Sequence, residues 1–75
     1  MVEISFQVDQ DAGGGYTAKA LGAPIVVEAG SVESIAAEIC RSVRTHFADD
    51  AGRPRLVHLY FLSNGAFVSS CSLPL

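Results

Sequence analysis

Val2-Glu3-Ile4-Ser5-Phe6-Gln7-Val8-Asp9, then Gln10-Asp11-Ala12-Gly13-Gly14-Gly15, then Tyr16-Thr17-Ala18-Lys19-Ala20 is the stretch that decides the fold. Successive side chains of an extended chain alternate between faces. Val2, Ile4, Phe6 and Val8 therefore share an apolar face, and Glu3, Ser5, Gln7 and Asp9 a polar one. The acidic, glycine-rich segment reverses the chain, and a second strand runs back from Tyr16. A third strand, Ile25-Val26-Val27-Glu28, is entered through Gly22-Ala23-Pro24 and ended by Ala29-Gly30. Proline cannot donate to a ladder, which suits the start of an edge strand.

Beyond that meander the apolar period changes. Val32, Ile35, Ala36, Ile39, Val43 and Phe47 recur at helical spacing, with Cys40 at the margin of the stripe. Ser31 supplies an N-cap oxygen and Glu33 a carboxylate against the positive end of the dipole. Glu38 faces Arg41 and Ser42 one turn on. Asp49, Asp50, Ala51, Gly52 and Pro54 stop the helix. Arg55 to Leu62 is rich in branched and aromatic residues and predicts the fourth strand. Its core face carries Val57, Leu59 and Phe61, and its other face Leu56, His58, Tyr60 and Leu62. Asn64-Gly65 signals a two-residue hairpin turn, so Ala66-Phe67-Val68 can return as a short fifth strand. Residues 69–75 are expected to be a flexible C-terminal tail.

These elements predict an α+β fold, a two-layer β-β-β-α-β sandwich forming one domain over residues 1–68. Strands one to three form an antiparallel meander. A right-handed crossover through the helix then sets strand four parallel beside strand one, giving a mixed sheet of order 3-2-1-4. The helix covers one face and leaves the other open.

Composition narrows the function. A chain of 75 residues buries only about 60% of its unfolded surface. Its 49% apolar content is nevertheless that of a folded domain. Cys40 and Cys71 are isolated and read as reduced thiols in a cytoplasmic protein, so association with another chain is the expected source of extra stability, and a homo-oligomer is expected. The formal net charge of −3 argues against binding nucleic-acid backbones, direct DNA binding included. No apolar run approaches membrane-spanning length.

No catalytic constellation emerges. Gly13-Gly14-Gly15 leads into a strand rather than a helix N-terminus, which makes it a hairpin turn and not a phosphate cradle. Asp9 and Asp11 lack the further oxygen ligands a cation needs and read as turn solvation. Glu3, Glu33 and Glu38 do not converge as a two-metal nuclease requires. Cys40 and His46 are too far apart along the helix to act as nucleophile and base. No catalytic residue, metal site or cofactor is expected.

Gly14-Gly15-Tyr16-Thr17-Ala18 and Glu28-Ala29-Gly30-Ser31-Val32-Glu33-Ser34-Ile35 resemble the corresponding segments of HicB-like antitoxin domains. Val43-Arg44-Thr45-His46-Phe47 and Arg53-Pro54-Arg55-Leu56-Val57-His58-Leu59-Tyr60-Phe61 fit small stand-alone members of that family. The resemblance implies a partial ribonuclease-H-like sheet and a non-catalytic role, that of neutralising a small, basic HicA-type ribonuclease toxin by covering its surface. Two features depart from the pattern. Leu21-Gly22-Ala23-Pro24 stands where fuller members carry a Pro-Gly turn, and the operator-binding domain of those members is not expected here. The expected partner-binding set is Leu56, His58, Tyr60 and Leu62 on the open face, with Arg55 at the rim and Asp9 and Asp11 steering a basic partner. The alternative expectation is a small structural homo-oligomeric domain or accessory subunit without a toxin.

Overall fold

The computed structural model describes residues 3–48 and 52–75. Val2 and the helix-stop residues Asp49, Asp50 and Ala51 lie outside the described residues. The elements are β1 (Glu3–Gln10), β2 (Tyr16–Leu21), β3 (Val26–Ala29), α1 (Val32–His46), β4 (Leu56–Ser63) and β5 (Ala66–Pro74). They form an α+β domain with one helix and a five-stranded mixed sheet of order β3-β2-β1-β4-β5. The four strands expected in the order 3-2-1-4 hold that order, with β4 parallel to β1 and the other pairs antiparallel.

Alternation in β1 converts directly into the core. Ile4, Phe6 and Val8 are buried, and they meet Ala18 of β2, Val57 and Leu59 of β4, and Ile35, Ile39 and Val43 of α1. The helix forms where its stripe can be buried. Ser31 is extended and its Oγ accepts the Ser34 N–H at 3.1 Å, satisfying one of the orphan donors of the first turn. At the other end the Arg53 guanidinium donates to Phe47 O at 3.0 Å, replacing a bond the last turn lacks. Val32 departs from the expected stripe: as the first residue of the helix it remains 47% exposed. An Arg41–Glu38 ion pair spans one turn on the exposed side.

Two turns need unusual backbone. Asn64 (φ 53°) and Gly65 (φ 80°) both adopt positive φ, as the two-residue turn matching strand twist demands. In the β1–β2 turn Gly14 (φ 92°) donates to Asp11 O at 3.0 Å, and Asp11 donates to Gly15 O at 2.7 Å.

The C-terminal expectation requires correction. The return strand does not stop at Val68. It runs to Pro74, so residues 69–74 are sheet rather than tail, and Leu75 donates its N–H to Arg55 O at 3.0 Å. The eight-residue β4 offers a ladder of matching length, and the hairpin zips along it. Leu62 pairs with Phe67 but Phe61 pairs with Ser69, leaving Val68 as the extra residue of a β-bulge. The helix packs chiefly over β3 and β2. β5 therefore lies outside its cover, and only Leu73 on that strand is half-buried.

Candidate binding surface

The sheet face opposite α1 is uncovered among the described residues. Strand registers place its side chains in rows that cross the sheet. One row runs Val26, Lys19, Gln7, Tyr60 and Ser70; the next runs Glu28, Thr17, Asp9, Leu62 and Phe67; a third joins Leu21, Ser5, His58 and Ser72. Val26 (61%), Leu21 (55%), Phe67 (62%) and Tyr60 (39%) expose much of their surface. They fall in two pairs, Val26 with Leu21 on β3 and β2 and Tyr60 with Phe67 on β4 and β5, with the polar side chains of β1 between them. Glu3, Asp9 and Glu28 put three carboxylates on this face against the single ammonium of Lys19. The balance suits a basic partner.

Of the residues expected to bind a partner, Leu56, His58, Tyr60 and Leu62 share this face with Asp9. Leu56, His58 and Leu62 are half-buried by their strand neighbours, and Tyr60 stands out. Arg55 and Asp11 lie at opposite ends. Arg55 precedes β4 and lines a shallow groove of about 300 Å³ with Arg53, Pro54 and Leu75. Asp11 sits in the β1–β2 turn, beside the other end of β4. Asp9, two residues before Asp11, is already level with Leu62, seven residues from Arg55, so more than about 20 Å separates the two. A partner touching both would have to cover the length of the sheet.

A polar row had no counterpart in the sequence reading. His58 Nδ1 lies 2.8 Å from Ser72 Oγ on β5, and His58 Nε2 lies 3.4 Å from Glu3 Oε2 on β1. Hydroxyl, imidazole and carboxylate have the connectivity of a nucleophile, a base and its orienting acid. Catalysis of acyl transfer also needs donors aimed at the developing oxyanion, in a site that excludes water. Backbone N–H groups of a strand lie in the plane of the sheet and not above it. The row stands on a flat face, with Glu3 56% exposed. The two contacts hold the His58 ring between Glu3 and Ser72.

The remaining concavities are grooves on the helix side. One of about 350 Å³ lies between the start of α1 and the β4–β5 hairpin, with Tyr16, Val32, Phe61 and Val68 among its walls. Another, of about 440 Å³, runs between Pro24, Ile25 and Val26 and the Arg41–His46 side of α1. Among the described residues no three His, Cys, Asp or Glu side chains gather where they could hold a metal ion. No described helix is long and apolar enough to cross a membrane. Compared with protein-family models, with curated proteins and with solved structures, the chain matches none.

Proposed function

We propose that this chain is a non-catalytic protein-binding domain of the HicB-like antitoxin kind, working in the cytoplasm, where Cys40 and Cys71 remain free thiols. Its partner is a small basic ribonuclease toxin of the HicA type, held against the open sheet face so that its RNA-binding surface is covered. The observation that supports this reading best is the uncovered face itself. It combines exposed Tyr60, Phe67, Leu21 and Val26 with an excess of carboxylates. Aromatic anchors supply binding energy, and opposite charge speeds encounter with a basic surface.

Tyr60 leaves 39% of its surface exposed, about 80 Å² for a side chain of this size. Covering that area contributes about 2 kcal/mol at roughly 25 cal/mol per Å². Removing it therefore weakens Kd by about 30-fold. The test begins with capture on the tagged chain and mass spectrometry of what is held. The captured protein is then assayed for RNA cleavage alone and with an equimolar amount of the chain, native or Tyr60→Ala. Cleavage that the native chain suppresses, and the variant suppresses only at higher concentration, supports the reading. A captured protein that cleaves no RNA, or cleaves it equally well in the complex, refutes it.

A further inference from the structure

We propose that two copies of this chain pair antiparallel along β5, with the twofold axis at Cys71, joining two five-stranded sheets into one of ten strands. β5 is an edge strand, and no described residue pairs with its outer side. An unpaired edge is a template for another strand, and proteins that stay monomeric blunt it with charges, proline, bulges or short length. β3, the opposite edge, is blunted in that way: it spans four residues, follows Pro24 and carries Glu28. β5 spans nine residues without a single charge, and its bulge at Val68 and its proline at position 74 stand near its two ends, leaving five residues between them.

The bulge selects the register. Val68 interrupts the regular ladder at one end and Pro74 at the other, which leaves Ser69–Leu73 as the uninterrupted segment. Its middle residue is Cys71. A twofold axis there sets Ser69 against Leu73, Ser70 against Ser72 and Cys71 against Cys71 of the second copy. A strand pairs with its own copy without penalty when no charge meets itself across the axis. Ser69, Ser70, Cys71, Ser72 and Leu73 are all uncharged and meet that condition. The occupant is a second copy, whose own Ser69–Leu73 brings no charge against any paired position of this segment. Cys71 registers with Leu59 on the helix side yet is exposed, because α1 packs over the other half of the sheet.

The experiment is sedimentation equilibrium under reducing conditions, from about 10 to 200 μM, the range in which a contact at the small end of interface sizes associates. Cys71→Ser is expected to dimerise, at twice the 7.9 kDa chain mass. Cys71→Lys and Cys71→Glu each bring like charges together across the axis and are expected to associate at least tenfold more weakly. Mixed one to one, the two charged variants are expected to form a mixed dimer, resolved by native mass spectrometry. That recovery also shows that neither variant is merely misfolded. A native chain that stays monomeric throughout overturns the proposal. So does a lysine variant that dimerises as well as the serine variant, or a mixture that forms no mixed dimer.

Discussion

Leu59 and Tyr60 are neighbours in the chain, and the fold sends them to opposite faces of β4, one into the core and one onto the open surface. Leu59 is 1% exposed, set between Phe6 of β1 and Cys71 of β5 and beneath the helix-side cluster. Truncating a leucine so enclosed removes its transfer free energy and leaves a cavity, at a cost of about 2–5 kcal/mol. A domain of this length has a total stability of roughly 4–11 kcal/mol. Leu59→Ala therefore removes a large share of it. Tyr60→Ala removes only cross-strand contacts with Gln7 and Ser70, at a cost of about 0.2–1 kcal/mol. Urea unfolding followed by far-UV circular dichroism separates the two. With a slope of about 1 kcal/mol per M for a small domain, Leu59→Ala moves the midpoint down by about 2 M or more, and Tyr60→Ala by less than about 1 M. The slope should not change in either variant. Equal midpoint losses would show that Tyr60 belongs to the folded core, and the open-face reading of β4 would fall with it.

Three further measurements test other parts of the account. Ser31→Ala removes the acceptor of the Ser34 N–H and is expected to lower stability by about 1 kcal/mol, with Ser31→Gly losing only a few tenths. Gly65→Ala places a side chain at φ 80° and is expected to cost about 1 kcal/mol; exchange of the amide protons of β5 should accelerate more than that of β2. Ser72→Ala is expected to leave hydrolysis of an activated ester at the native chain's background rate, since the strand N–H groups around the His58 row lie in the sheet plane and not above it. A fall of tenfold or more on that substitution would make Ser72 a nucleophile.

Much of the architecture is legible because burial writes itself into the chain with a period. Ile4, Phe6 and Val8 alternate since only one face of β1 is covered, and Ile35, Ile39 and Val43 recur since one stripe of α1 is. β5 left no such record. Both of its faces are exposed over most of its length, so no period was imposed on Ala66 to Pro74 and the segment resembles a tail. The one available signal was the Asn64-Gly65 turn, which obliges the following residues to pair with a strand already eight residues long. Even that would have misplaced the polar row. A hairpin continued in simple register sets His58 against Cys71, and the bulge at Val68 shifts the pairing by one residue to bring Ser72 there instead. Nothing in the residue types around Val68 specifies a bulge.

Face and edge are separate surfaces, and their geometry lets both be used at once. A partner on the open face approaches along the sheet normal, whereas a second copy at β5 approaches within the sheet plane. An axis relating two antiparallel strands of one sheet lies along the normal, so both open faces of the dimer point to the same side and both helices to the other. Tyr60 lies two strands from the outer edge of each copy, and Phe67 belongs to the edge strand itself. Pairing therefore sets the two Tyr60 side chains, each in register with Ser70 one residue from the axis, near the centre of the joined face, with the two Phe67 side chains on opposite sides of it. Two partners bound there, or one spanning the axis, gain from effective concentration rather than from new contacts. The two proposals then make a joint demand. Cys71→Lys should leave the affinity of a single face for its partner unchanged while lowering the avidity of the assembly. Tyr60→Ala should lower both and leave self-association intact. Surface plasmon resonance at low and high surface density reads the two quantities separately. A lysine variant whose single-site affinity falls as far as its avidity would mean that face and edge are one surface.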